Sequence, residues 1–252
     1  MCGRYTLRTD RSQIEKRFGL EDLPPFQPRY NLGPTHDGLV IRPAAEPNRR
    51  TAAWLRWGLI PFWTKPGSPG PLLINARSET AASKPAFRDA FRKRRCLVVA
   101  DGFYEWTRDS VQRTPHHFTV RHGEPFAMAG IWERWHPAGD KNAEEVLESF
   151  AILTTAANEV VAPHHDRMPV ILDPALYEDW INPLVHEVDV LKRMLRSFPA
   201  IDMLARQVST RVNRIANDDP ACLESPTADT NPDVGGEEQA RSGQLGLDLD
   251  SG

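Results

Sequence analysis

The stretch Cys96-Leu97-Val98-Val99-Ala100-Asp101-Gly102-Phe103-Tyr104-Glu105-Trp106 decides how this chain is read. Residues 96–100 are an apolar run of strand length with the look of a buried strand. It runs into Asp101-Gly102 and then into Phe103-Tyr104-Glu105-Trp106, where one carboxylate sits between two aromatics. Apolar surroundings disfavour the charged form of a carboxyl, so Glu105 is expected to carry a raised pKa, which suits general acid–base work. The competing reading is a strand-end glutamate paired with a nearby arginine.

Working outward, short strands are expected at 2–7, 38–42, 52–59, 116–121, 125–132 and 149–155, with a last one at 206–213. Helices are expected over 13–18 (capped by Asp10 or Ser12 and ended by Gly19), from Ser83 to about Arg94, from Asn158 to Pro163, and over 174–181 and 186–197. The proline-rich passage 24–34 and residues 60–71 read as loops. Strands dominate the first two-thirds and helices are scattered, which argues an α+β fold rather than an alternating βαβ design.

The chain is 252 residues long with 40% hydrophobic and 26% charged residues, ordinary for a globular protein with a proper core. The net charge of −3 is unevenly spread. From Cys222 onward seven acids face one base, Arg241, leaving residues 1–221 at +3. That excess is too small to argue nucleic-acid binding by itself. The composition divides the chain into one domain over 2–224 and a disordered acidic tail over 225–252. Three cysteines, Cys2, Cys96 and Cys222, form no CxxC pair or disulfide framework. No apolar run approaches the ~18–20 residues of a membrane span, and charges interrupt any signal-peptide core. A reduced, cytoplasmic protein is expected, with no membrane association.

Other clusters bear chemistry. Met1-Cys2-Gly3-Arg4 becomes a 1,2-aminothiol if Met1 is removed. An amine of pKa roughly 8 and a thiol of roughly 8.5 then sit on adjacent carbons, able to condense with an aldehyde and close a thiazolidine. Alternatively, Cys2 is merely a small residue after a start codon. His165-Asp166-Arg167-Met168-Pro169 places a histidine beside groups that could fix its tautomer or bind an anion. The pairs His116-His117 and His164-His165 raise the question of a metal, but the usual i, i+4 histidine spacing and cysteine partners are missing. No metal and no cofactor are expected. Arg88, Arg92 and Arg95 would share a helix face that meets either phosphates or carboxylates. Trp54 and Trp57 look like core, whereas Phe62-Trp63 beside Pro61 could be exposed for base stacking.

Taken in order, MCGRY (1–5), RYNLGPT (29–35), WGLIPFW (57–63), NARSET (75–80), CLVVADGFYEW (96–106), LTTAAN (153–158), HDRMPVIL (165–172) and VNRIANDDP (212–220) resemble the SRAP family. These are the SOS-response-associated peptidase-like proteins that process abasic sites in single-stranded DNA. The resemblance spans about residues 1–224 and leaves out the tail. It implies a single SRAP-type domain with a strongly curved mixed or antiparallel sheet, peripheral helices and a monomeric state. It also implies that Met1 is lost and that Cys2 crosslinks to the C1′ aldehyde of a ring-opened abasic sugar. Asn75 would orient the Cys2 amine and the sugar, while Glu105 and His165 would shuttle protons. Arg4, Arg77 and Arg167 would hold phosphates, and Pro34, Trp63 and Thr154 would line the strand's path. The partner would be single-stranded DNA bearing abasic sites, with the protein nucleoid-associated when bound. Where similar proteins can present two adjacent tryptophans after the WG motif, this chain has Phe62-Trp63-Thr64.

Two other functions compete with this one: an N-terminal-cysteine peptidase, whose clear substrate would be its own Met1, and a non-catalytic single-strand binder. In the tail, Gln244-Leu245-Gly246-Leu247-Asp248-Leu249 resembles the QLxLxL peptide by which bacterial replication and repair proteins dock on the sliding clamp. Gln244, Leu245, Leu247 and Leu249 would be its contact residues, an extended peptide filling apolar pockets. Three leucines gathered by chance are the alternative.

Overall fold

The computed structural model describes residues 2–46, 49–65, 67, 70, 72–108, 113–136 and 146–226. Its strands are β1 (Tyr5–Leu7), β2 (Arg29–Leu32), β3 (Asp37–Pro43), β4 (Arg50–Trp57), β5 (Asn75–Arg77) and β6 (Arg95–Ala100). They continue with β7 (Gly102–Trp106), β8 (Pro115–Val120), β9 (Phe126–Trp135), β10 (Leu147–Ala156), β11 (Arg167–Pro169) and β12 (Met203–Gln207). Four short helices, α1 (Arg11–Phe18), α2 (Arg88–Lys93), α3 (Tyr177–Ile181) and α4 (Val188–Arg193), lie among them. The fold is α+β.

A five-stranded antiparallel sheet runs β12-β8-β7-β1-β2. A seven-stranded mixed sheet runs β11-β10-β4-β3-β6-β9, with β5 beside β10. Because β9 also pairs with β10, the strands β4, β3, β6, β9 and β10 close on themselves as a ring. Closure accounts for the strong curvature and removes free edges from those strands. All six residues of β6 are buried, as the apolar run at 96–100 predicts. One hydrophobic core takes in Tyr5, Leu7, Phe103 and Phe118 from the first sheet and Val40, Leu97, Val98 and Phe150 from the second.

Two buried polar groups tie this frame together. Arg95 is 2% exposed and donates to the carbonyls of Trp180 (2.6 Å), Phe91 (3.1 Å), Asn182 (2.6 Å) and Val185 (2.7 Å), and to that of Arg92. It thereby satisfies carbonyls that the C-terminal ends of α2 and α3 leave over. Asp101, at the β6–β7 junction, accepts from the Thr6 hydroxyl (2.6 Å), Arg8 N (2.6 Å) and Thr9 N (2.8 Å). The Thr6 hydroxyl donates there, so His117 Nε2 at 3.1 Å is its donor. Burial pushes the His117 pKa down to about 3, which keeps that ring neutral. Residue 102 must be glycine, since a Cβ there would lie 2.1 Å from His117 Nε2.

Several local expectations are corrected by tertiary context. Residues 29–32 form β2 inside the passage read as loop; Pro24, Pro25, Pro28 and Pro34 flank it, and pairing with β1 supplies its hydrogen bonds. The helix expected from Ser83 shrinks to α2: residues before it form turns, with Lys84 O accepting from Phe87 N and Arg88 N, and Phe87 at φ −126° interrupts the helical path. Asn158 caps only a turn, its Oδ1 accepting from Val160 N and Val161 N before Pro163 intervenes. The last strand is β12, set earlier than 206–213 by its pairing with β8, and 210–213 is a 3-10 turn capped by Ser209. The acidic tail lies outside the described residues from 227 on.

Candidate active site

β1 and β7 pair with Tyr5 opposite Phe103 and Thr6 opposite Gly102, and Tyr104 N donates to Arg4 O at 3.0 Å. Continuing that register by two residues puts Gly3 opposite Glu105, with Cys2 just beyond. The two motifs, a hundred residues apart in sequence, therefore meet through one strand pair.

Asn75 arrives from the other sheet. Trp57 is fully buried, packs edge-on against Tyr5 at 5.2 Å, and donates through Nε1 to Ile74 O at 2.9 Å. That bond and the parallel pairing of β5 with β10 fix the strand start at Asn75. Asn75 Nδ2 donates to Cys2 O at 2.8 Å. Its Oδ1 is buried and has no partner among the described residues. A buried, unpaired amide oxygen costs on the order of 1–3 kcal/mol, so it is a pre-set acceptor awaiting a donor.

Burial raises the Glu105 carboxyl to about 7, with the Asp166 charge adding to it and the positive amino terminus pulling the other way. The carboxyl is 5% exposed. Near neutrality it exists in both forms, as a group that both gives and takes protons must. Cys2 is fully buried, and burial first, then the Glu105 charge, push its thiol well up. A thiolate therefore does not persist in this state; the sulfur needs a base to act.

His165 follows the turn that leaves β10, and its ring is partly exposed. Its Nδ1 lies 2.9 Å from Arg167 N and 2.8 Å from Asp166 Oδ1. The neutral ring accepts from the amide, and the protonated ring satisfies the carboxylate, so both states have a partner. Burial lowers its pKa, helped by the positive amino terminus and opposed by Asp166.

A cleft of about 610 Å³ is lined by Gly3, Arg4, Pro34, Glu105, Trp106 and His165, together with Thr107, Arg108, Arg113 and His164. The larger groove, about 800 Å³, lies along Trp63, Leu72, Trp135 and Leu147 and contains neither Glu105 nor His165. The chemistry belongs to the smaller one.

The remaining residues singled out in the sequence are spread around this centre. Arg4 lines the cleft, but its guanidinium already donates to Asn31 Oδ1 (2.9 Å) and Val212 O (3.0 Å). Arg77 is exposed and has no side-chain partner among the described residues. Arg167 is 14% exposed and grips Glu79 with two bonds of 2.6 and 2.8 Å. Thr154 is fully buried; its carbonyl accepts from Ser78 N and from Arg167. It therefore meets Arg167 rather than solvent. Trp63 and Phe62 are 56% and 52% exposed, and Trp135 Nε1 holds their loop through Thr64 O at 2.8 Å. Gln244, Leu245, Leu247 and Leu249 lie outside the described residues. Arg108 and Arg113 are cleft residues that the motifs did not point to, and His164 was weighed only for a metal; the position of Arg108 directly after Glu105-Trp106-Thr107 was the available signal.

These features define a two-sheet α+β protein with a buried cysteine at position 2, next to a cleft lined by Glu105 and His165. Residues 1–215 match the family model described as SOS response associated peptidase (SRAP), and the chain belongs to that family. It is 39% identical over 230 residues to the abasic site processing protein YoqW of Bacillus subtilis, covering 89% of this chain and all of that one. It is 33% identical to the abasic site processing protein HMCES of Gallus gallus, covering 79% of this chain and 66% of that one. A solved structure from Bacteroides thetaiotaomicron superposes with a TM-score of 0.77 at 26% identity, over 90% of this chain and all of that one. One from Bordetella bronchiseptica reaches 0.69 at 31% identity, over 82% and 100%.

Proposed function

We propose that this protein processes abasic sites in single-stranded DNA by forming a thiazolidine crosslink through Cys2 after Met1 is removed. The observation that carries the reading is the Asn75 side chain, bonded to the Cys2 carbonyl while its buried Oδ1 waits for a donor. The α-amine that appears at Cys2 on loss of Met1 is such a donor. Relatives named as abasic site processing proteins support the substrate.

The steps follow from the site's electrostatics. His165 takes the proton of the sugar's C1′ hydroxyl and returns one to the ring oxygen, opening the sugar to its aldehyde. The neutral amine attacks C1′ and forms the C–N bond. One amine proton moves to the C1′ oxygen, and protonated Glu105 gives it a second, so that water leaves and a protonated imine remains. With Glu105 now ionised, the Cys2 thiol loses its proton to it, and sulfur adds to C1′. The C=N electrons return to nitrogen, so the five-membered ring closes with a neutral N–H and Glu105 is left protonated as it began. Overall, one aldehyde and one aminothiol give one thiazolidine and one water. The high thiol pKa sets the order: amine first, sulfur second. Holding amine, thiol and aldehyde together supplies several kcal/mol of the barrier as effective concentration.

The test is incubation of the processed protein with a single strand carrying one abasic site. A heat-stable one-to-one adduct is expected, absent in Cys2→Ala and in a protein with one extra N-terminal residue. An adduct formed normally by the extended protein overturns the mechanism.

We further propose that residues 244–249 dock the protein on the replication sliding clamp, with Gln244 at the rim and Leu247 and Leu249 in apolar pockets. Titration of a 240–252 peptide into the clamp should show roughly micromolar binding. Binding unchanged by alanine at Gln244, Leu247 and Leu249 overturns this docking.

A further inference from the structure

Arg108 and Arg113 sit opposite one another at the end of the β7–β8 hairpin. The ladder pairs Glu105 with His116 and Trp106 with Pro115, and continues through Thr107 N donating to Thr114 O at 3.0 Å. Thr114 N returns a bond to the Thr107 hydroxyl at 3.1 Å. The next facing pair is Arg108 and Arg113, so two guanidiniums emerge on one side of one hairpin. Like charges directly opposite across strands repel. Among the described residues, little offsets this pair. Arg108 is 57% exposed and reaches Asp166 only at 3.9 Å and His164 O at 3.4 Å. Arg113 is exposed and has no side-chain partner among the described residues. Both line the cleft that holds Glu105 and His165.

Of the three other arginines expected to meet phosphate, Arg77 is exposed but does not line this cleft, and two are already engaged. Arg4 is bonded to Asn31 and Val212 O, and Arg167 is closed on Glu79. Uncompensated positive charge at the rim is therefore concentrated in the hairpin pair. We infer that Arg108 and Arg113 together form a clamp for one backbone phosphate, that of the nucleotide entering the cleft. This assignment rests on the proposed single-strand substrate. An anion between the two guanidiniums accepts from both and removes their repulsion.

Two measurements test the clamp separately from the crosslink. The first is affinity for lesion-free single-stranded DNA as a function of salt. One shared phosphate predicts that Arg113→Ala, Arg108→Ala and the double variant each lower the logarithmic salt slope by about the same 0.7. Arg113→Lys should keep the slope. Arg108→Glu adds a control with opposite signs. It pairs with Arg113, so the melting temperature should hold or rise while DNA affinity falls to the level of Arg108→Ala. The second is adduct formation with 2-deoxyribose and with 2-deoxyribose 5-phosphate. Wild type should favour the phosphorylated sugar by tenfold or more, and Arg113→Ala should react with both alike. Wild-type slopes in the variants, with no preference for the phosphorylated sugar, overturn the clamp. Slope losses as expected, with neither sugar forming an adduct, sustain the clamp and overturn the crosslink chemistry instead.

Discussion

Replacing Glu105 by glutamine should make the protein more stable above neutrality and slower in its chemistry. The carboxyl is 5% exposed, and burial raises it from 4.5 to about 7. Between those values the folded state binds more protons than the unfolded chain, so the stability contributed by this group falls as pH rises. It is fully present below about 4.5 and lost once pH passes about 7. A shift of this size corresponds to about 3 kcal/mol, at 1.36 kcal/mol per unit. Glutamine has no charge to bury and retains the shape. The stability difference, Glu105→Gln minus wild type, should therefore grow by about 3 kcal/mol between pH 4.5 and pH 8. In a domain of this size that is roughly 6–12 °C in melting temperature. Urea denaturation of both proteins at several pH values measures it, and subtracting wild type cancels every other titrating group. Adduct formation should meanwhile slow on the order of 10²-fold, as loss of a general acid–base group does. A difference that does not change with pH would refute the buried, proton-holding carboxyl and the acid–base role built on it.

Asn75→Ala removes the bond to the Cys2 carbonyl, and the crosslinking rate should fall at least tenfold with little change in affinity for lesion-free DNA; a proportional loss in both would make Asn75 a folding residue. Trp63→Ala should weaken single-strand binding by about 1–3 kcal/mol and leave melting unchanged, since an exposed ring contributes to stacking rather than to the core; fluorescence titration decides it. Arg95→Met removes a buried guanidinium that donates to five carbonyls and should cost on the order of 3–5 kcal/mol in urea denaturation, whereas a cost under about 1 would mean that water replaces the guanidinium.

The sequence by itself determined the strands whose apolar patterns are local. The run at 96–100 is the wholly buried β6, and 38–42 and 52–59 fall on β3 and β4, because burial on a strand is written residue by residue. It also singled out Cys2, Asn75, Glu105 and His165, whose residue types stand out in their motifs. What it could not hold was anything set by a partner distant in sequence. β2 exists because β1 and Asp218 take up its backbone, the latter accepting from Asn31 N at 2.8 Å. α2 is short because Phe87, at φ −126°, departs from helical angles and separates it from the turn at Lys84. The standing of each arginine was equally invisible: the same guanidinium is occupied at Arg167, tied down at Arg4 and, among the described residues, without a side-chain partner at Arg113. The ring of strands that brings β5 to β1, and so Asn75 to Cys2, is likewise a tertiary decision. Hydrogen bonds between strands pay no regard to sequence separation, so only the folded chain specifies which polar groups are spent on the frame and which remain for a ligand.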